Sequence, residues 1–363
     1  MICFKCGLEC FSYANGLEPR SICCNSKIDM SKGERMYSEL TLSNPFYKKE
    51  ILLIGGTGSL GKKLLHHILE NYSPKGIRIY SRDELKQWEL QKEIGKNKKG
   101  IPIAFILGDV RNYDSVRRAM NRVDIVINCA AMKQVGSCEN NVYEAIDTNI
   151  AGSRNVVNAA IDNQVKYCMH ISTDKAVYPV NLYGKTKAVA EDIFLFGNTL
   201  SGNRTRFNVC RYGNVLGSRG SILPLFKDQM VKDGYITITD KKMTRFWITL
   251  DKVVNFICHK IENYPNENGV IYIPVMPSCL ISSIAKLLFD KYTSKYIGIR
   301  KGEKIHECIL TDEETVFATL SKDKNFIMLN PSQKSKKKVK KSIYSNNKNK
   351  INLEEIKKLL KGF

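Results

Sequence analysis

Glu50-Ile51-Leu52-Leu53-Ile54-Gly55-Gly56-Thr57-Gly58-Ser59-Leu60-Gly61 is the stretch that decides the architecture. A short apolar run of strand length stops in glycines, and Leu60, Leu64, Leu65 and Ile68 then recur at helical spacings of three and four. Gly55, Gly58 and Gly61 follow a G-x-x-G-x-x-G pattern between that strand and that helix. Such a turn brings backbone against a diphosphate, where a Cβ would collide, and the helix start adds free amides and a positive dipole end. The stretch therefore predicts a dinucleotide-binding strand, turn and helix.

Outward from it, Ile77-Arg78-Ile79-Tyr80, Ile103–Leu107, Val123–Cys129 and Val165–Ser172 read as further strands, and a polar helix is predicted from Asp83. Strand alternating with helix predicts an α/β chain: a Rossmann-type doubly wound parallel sheet, with a smaller C-terminal substrate-binding lobe. Composition divides the chain into a Cys-rich extension (1–46), the nucleotide domain (47–215), the lobe (216–330, part of which is allowed to return to the sheet) and a basic linker with a closing helix (331–363). The second strand ends in Tyr80-Ser81-Arg82-Asp83. Ser81 and Arg82 stand where an NAD site places a carboxylate for the ribose 2′-hydroxyl, so a 2′-phosphate and NADP are expected. Asp109 and Val110 follow the third strand at the adenine position. Ala130 and Ala131 end the fourth, small enough for backbone to lie along the cofactor.

The 363 residues are 43% hydrophobic, enough for a large core. Lys and Arg exceed Asp and Glu by 57 to 36, a net charge of +21 that attracts anions without choosing among nucleic acid, acidic membrane and phosphorylated small molecules. Much of it is scattered lysine, which reads as solvated surface. No apolar run reaches the ~20 residues of a membrane span, and the first residues lack the apolar stretch of a secretory signal. Seven cysteines are dispersed singly, as small buried hydrophobes in a reducing compartment, so a cytoplasmic location is expected. Cys3, Cys6, Cys10, Cys23 and Cys24 crowd the head. Cys3, Cys6, Cys23 and Cys24 are zinc-ligand candidates, with imperfect spacing, because adjacent cysteines rarely both hold one metal.

Ser172-Thr173-Asp174-Lys175 closes the strand that begins near Val165, and Tyr183-x-x-x-Lys187 lies just beyond. Four residues apart on a helix, Lys187 is expected beside the Tyr183 phenol, where a cation favours phenolate. An adjacent carboxyl and amine suit an elimination, which needs both an acid and a base.

With these blocks the sequence resembles the inverting UDP-N-acetylglucosamine 4,6-dehydratases of the extended short-chain dehydrogenase/reductase family, the type that opens pseudaminic acid synthesis. The resemblance runs from about Glu50 to Glu307. It is carried by Ile54–Ser59, Tyr80–Gln87, Ser172–Ala176, Asn181–Gly184, Arg211–Val215, Gly217–Ser221, Met243–Trp247, Gly302–Lys304 and His306-Glu307. It implies NADP, tightly bound and regenerated each cycle, held by the glycine loop with Thr57, Ser59 and Leu60, by Ser81, Arg82, Asp109 and Val110, and by Ala130, Ala131, Lys133, Tyr183 and Lys187. It implies that Tyr183 takes the C4 hydroxyl proton, Thr173 holds that hydroxyl, Lys175 removes the C5 proton and Asp174 protonates the departing C6 oxygen. Lys133, Thr173, Asn214, Arg219, Arg245 and Lys304 would meet the UDP-sugar, the cations at its diphosphate. A homo-oligomer in surface-polysaccharide biosynthesis is also implied.

Gln134 stands where the family commonly shows His, and Val177-Tyr178-Pro179 replaces a usual Ala-Asn-Pro. Both put the sugar in question more than the reaction. A UDP-sugar 4-epimerase or a dehydratase of another UDP-hexose stays open. From another class, so does an NADP-binding regulatory or nucleic-acid-binding protein, favoured by the charge and the head and disfavoured by an intact acid/base set.

Overall fold

The computed structural model describes residues 44–360, apart from 96, 98, 219, 290, 336–338, 340 and 347–351, together with two short paired strands at Ser12–Tyr13 and Arg20–Ser21. The five head cysteines, and the zinc expectation with them, lie outside the described residues.

The first strand, β1 (Glu50–Ile54), is buried from Ile51 to Ile54, as its unbroken apolar run requires for a strand covered on both faces. It is the third strand from one edge of a nine-stranded sheet. On one side come β2 (Gly76–Ser81) and β3 (Ile103–Leu107). On the other come β4 (Ile125–Asn128), β5 (Tyr167–Thr173), β6 (Arg206–Tyr212) and, farther along the chain, a strand at Ile271–Pro274. All of these pair in parallel. The order 3-2-1-4-5-6 is that of a dinucleotide-binding sheet, and it opens a crevice at the strand ends between β1 and β4. Two antiparallel strands, Phe326–Leu329 and Ala318–Leu320, finish the far edge.

Helix α1 (Ser59–Asn71) buries Leu64, Leu65 and Ile68 as the spacing predicts, with Gly61 beside them and Leu60 only partly covered. Gly61 is required by packing: a Cβ there would lie 2.5 Å from Gly56 Cα. Helix α2 (Glu84–Ile94) starts after Asp83, whose carboxylate accepts from the Lys86 amide at 3.0 Å. After α3 (Tyr113–Ala119), α4 (Val135–Asn140) and α5 (Val142–Ile146), a π-helical turn at Asp147–Ala151 leads into α6 (Gly152–Asp162). In that turn Asn149 bonds both backbone groups of Met132 and the Thr186 hydroxyl, fixing the loop after β4 to α7 (Leu182–Leu200). The N-cap of α7 is Asn181, which accepts from the Gly184 amide at 2.7 Å.

A second core gathers Leu216, Leu223, Phe226, Trp247, Ile284 and Ile356. It belongs to a lobe built from β7 (Asn214–Leu216), α8 (Ile222–Asp233), β8 (Tyr235–Ile238), β9 (Thr244–Thr249) and later segments. The lobe is not one stretch of chain. Helix α9 (Leu250–Asn263) packs Val253, Val254 and Ile257 into the main core, and Ile271–Pro274, here β10, joins the sheet. The chain then re-enters the lobe at β11 (Ser278–Leu280) and α10 (Ile281–Leu288). The closing helix α11 (Leu353–Leu360) also belongs to the lobe core, through Ile356 and Leu359. A single cut at 215 or at 330 therefore separates no folded unit. No helix among the described residues is long and apolar enough to cross a membrane.

Candidate active site

Two adjoining cavities meet at the glycine loop. The smaller, about 400 Å³, runs from Gly55, Thr57, Gly58 and Ser59 past Ser81, Arg82, Asp109 and Val110 to Ala130, Ala131 and Lys133. Gly55 has φ +73°, and a Cβ there would stand 2.8 Å from the Ala130 amide nitrogen, so only glycine lets the β1 turn and the end of β4 close together. Gly58 caps α1 without a side-chain acceptor, and the first turn of α1 carries no acid, which leaves its positive end to an anion. At the end of β2 the Arg82 guanidinium lies 3.7 Å from Asp109 Oδ2 and is more than half exposed. The first carboxylate there, Asp83, is engaged by the α2 cap and by the Lys86 ammonium. The residues fit a dinucleotide: a loop with glycine at positions 55, 56 and 58, a helix start and a basic strand end.

The larger cavity, about 630 Å³, is lined by Ser59, Leu60 and Gly61 on one side and by Thr173, Lys175, Tyr183, Lys187 and Asn214 on the other. These come from the end of β5, a 3₁₀ turn at Asp174–Ala176, the start of α7 and β7. Tyr183 is hydrogen-bonded to Thr173; burial pushes its phenol up to about 12, against the opposing pull of Lys175 and of that bond. The cation acting on Tyr183 is thus Lys175. Lys187 lies instead 2.8 Å from His170 Nε2 and donates to the Ile171 carbonyl at 2.5 Å. Burial brings the Lys187 ammonium down to about 8, and burial together with Lys187 holds His170 well below the usual histidine range. The helical spacing supplies a shared face, whereas β5 supplies a competing partner that the spacing does not reveal.

Asp174 is wholly buried behind this wall and does not line the cavity. Its Oδ1 accepts from Thr173 Oγ1 and from Lys175 Nζ, both at 3.0 Å, while Oδ2 has no hydrogen-bond partner. Burial, aided by Glu307 and opposed by Lys175, raises its pKa. Lys175 Nζ also donates to Asn214 Oδ1 at 3.0 Å and stands 3.6 Å from Glu307 Oε1. Burial alone would lower the ammonium, but Asp174 and Glu307 outweigh it and hold it above the ordinary lysine value.

Of the expected diphosphate cations, Arg219 lies outside the described residues. Arg245 and Lys304 are turned elsewhere. Arg245 donates to the carbonyls of Thr244, Ile305 and Lys304, and Lys304 to the Val177 carbonyl at 2.9 Å; both flank Glu307, Lys304 at 2.8 Å. A buried carboxylate attracts them more strongly than an open cavity, and neither lines it. The cations that do line it include Lys133, Arg300 and Lys301, of which the last two escape sequence reasoning because no motif marks them. Gln134 also lines it and packs against Gly220. Asn149 and His170 are equally unmarked, whereas Glu307 belongs to the His306-Glu307 block, to which the sequence assigns no role in the site. The described residues hold no cluster of His, Cys, Asp and Glu able to bind a metal.

A family model described as polysaccharide biosynthesis protein matches residues 51–330. The chain is 46% identical over 273 residues to a UDP-N-acetylglucosamine 4,6-dehydratase (inverting) of Campylobacter jejuni, covering 74% of this chain and 80% of that one. It is 38% identical over 333 residues to a UDP-glucose 4-epimerase of Rickettsia canadensis, covering 87% and 96%. The X-ray structure of Pen from Bacillus thuringiensis superposes with a TM-score of 0.80 at 35% identity, covering 88% of this chain and 98% of that one.

Proposed function

The chain belongs to the polysaccharide biosynthesis protein family, alongside inverting UDP-N-acetylglucosamine 4,6-dehydratases, and from that premise we propose that it is a hydro-lyase. Its substrate is UDP-N-acetylglucosamine and its product the 4-keto-6-deoxy sugar inverted at C5. The observation that carries this reading is the convergence of Tyr183, Thr173 and Lys175 on the cavity that the glycine loop also lines.

A nicotinamide dinucleotide, when bound, supplies the oxidation at C4 and the returning reduction at C6. Gly55, Thr57, Gly58, Ser59, Leu60 and Gly61 would hold its diphosphate, and Ala130, Ala131, Lys133 and Lys187 its nicotinamide half. NADP is the form favoured by Ser81 and Arg82, since Asp83 is committed to capping α2 and Asp109 is paired with Arg82 and Arg111.

As the phenolate, the form that Lys175 and the Thr173 hydrogen bond favour, Tyr183 takes the C4 hydroxyl proton, with Thr173 bridging its oxygen to Asp174. The C4 ketone acidifies C5–H. Lys175 meets it as a base only after giving its extra proton to Asp174 Oδ1, 3.0 Å away, a transfer that leaves a neutral amine on the cavity wall and a neutral carboxyl behind it. One proton thus makes both a base and an acid, and the charge balance of the site is unchanged. Because Asp174 is sealed from the cavity, its proton reaches the departing C6 oxygen through Lys175 Nζ. Lys133, Arg300 and Lys301 are the described cations placed to meet the diphosphate.

The test is incubation with UDP-N-acetylglucosamine in deuterated water, followed by NMR and mass spectrometry. The reading expects loss of one water and deuterium at C5. An epimer of unchanged mass would refute it in favour of the 4-epimerase reading that the Rickettsia relative's name favours. The head and the +21 charge leave a nucleic-acid role as a separate question, answered by salt-dependent retention.

A further inference from the structure

Three cations, Lys175, Arg245 and Lys304, surround one buried carboxylate, Glu307, at 3.6, 3.8 and 2.8 Å. Lys175 lines the cavity; the other three do not. Glu307 is 2% exposed, and its backbone amide is held by Ser345 Oγ at 2.9 Å. The segment that carries it is clamped to the loop beyond Lys175, through Lys304 to the Val177 carbonyl and through Asn181 Nδ2 to the Gly302 carbonyl at 2.6 Å. A rigid segment from the C-terminal part of the chain therefore places a charge beside the catalytic amine.

We infer that Glu307 is a positioning residue of the reaction, the fixed anion that sets where on the pH scale the Asp174–Lys175 pair holds its single shared proton. The inference rests on the dehydratase reading. Lys175 Nζ donates to two acceptors, Asp174 Oδ1 and Asn214 Oδ1, and faces a third oxygen, Glu307 Oε1, as an ion pair at 3.6 Å. Asn214 Oδ1 cannot take a proton at neutral pH. Glu307 does not take it either: burial opposes its charge, but Lys175, Arg245 and Lys304 outweigh that and hold it below the usual carboxylate range. Asp174 is left as the acceptor, and the negative field of Glu307 raises the proton affinity of both members of the pair. The other charged or titratable groups at the cluster are Arg245, Lys304 and Tyr183, with His306 beside Arg245. Lys304 sets the strength of the field by neutralising Glu307 from the side away from the cavity.

The experiment compares kcat against pH for the full chain and for Glu307→Gln, Lys304→Met and the double variant, alongside NMR titration of the Lys175 ammonium in 13C-lysine-labelled protein. Removing the anion lowers both affinities, so Glu307→Gln moves both limbs of the profile to lower pH by about one unit. Lys304→Met leaves the anion less neutralised and moves them to higher pH. The double variant removes one charge of each sign and serves if the single Gln variant does not fold. A purely structural role would lower kcat without moving the profile. Limbs that stay in place, or that move the same way in both single variants, overturn the inference. If no variant, nor the unaltered protein, dehydrates the sugar, the dehydratase reading fails, and the Lys175 titration still reads the field of Glu307 by the same opposite shifts.

Discussion

Lys260 offers a quantitative test of the energetics of the main core. It is 1% exposed on α9, with Nζ 2.9 Å from the Phe326 ring centre, 4.6 Å from Tyr264, 5.0 Å from Phe256 and 5.9 Å from Tyr272, and it has no hydrogen-bond partner. Burial brings its pKa from 10.5 to about 7, with Asp323 and Cys210 only partly opposing. The unfolded chain therefore binds the proton more tightly, and stability rises with pH between about 7 and 10.5. At about 1.4 kcal/mol per pKa unit the penalty below that window is roughly 5 kcal/mol. The ring faces favour the charged form by about 2 kcal/mol or more through cation–π attraction, which offsets part of that penalty and narrows the pH window from its lower end in proportion. Lys260→Met keeps the stem and drops the charge, so it is expected to stabilise the protein by about 2 kcal/mol at pH 6, the gap closing toward pH 10. Urea unfolding midpoints at pH 6, 8 and 9.5 measure it. A variant that is no more stable at pH 6, or a gap independent of pH, refutes the reasoning.

Gly55→Ala forces a Cβ against the Ala130 amide at a positive φ and is expected to abolish dinucleotide binding, read by fluorescence titration with the coenzyme. Tyr183→Phe removes the phenolic base and should cost about 10²- to 10⁴-fold in kcat with little change in substrate affinity, as steady-state kinetics would report. Arg82→Glu places a carboxylate at the end of β2 and should turn coenzyme preference toward NAD, measured as the ratio of the two dissociation constants. His170→Leu leaves Lys187 with its hydrogen bond to the Ile171 carbonyl. It also replaces a polar ring nitrogen beside the ammonium with an apolar side chain, which deepens the burial that already lowers Lys187, so Lys187 should titrate at a lower pH by NMR.

The nucleotide half of the site was legible because its determinants are local. The glycine turn, the end of β2 and the start of α7 each lie within a few residues of one another, and the periodicity of α1 and β1 reports their buried faces directly. The identity of the Lys187 partner was not legible, since His170 comes from β5 and only the sheet brings it under α7. Arg245 and Lys304 stand off the cavity for a related reason. Their blocks look like anion-binding cations, but both flank Glu307, which lies three residues beyond Lys304 and far along the chain from Arg245 on β9. Adjacency in the sequence presents Asp174 and Lys175 as equal participants. The 3₁₀ turn after β5 sends one inward and the other to the cavity, a distinction of backbone direction that residue type does not carry.

The antiparallel strands at the far edge of the sheet have a consequence for how the protein can be divided. They and β10 arrive only after the chain has built much of the lobe, so the nucleotide half is stitched from pieces on both sides of it. A fragment ending after β6 would expose that strand's backbone donors and acceptors along a bare edge open to aggregation. Protein engineers seeking a portable coenzyme module would need to keep the whole weave, and swaps of sugar preference are better made inside the lobe than by exchanging it.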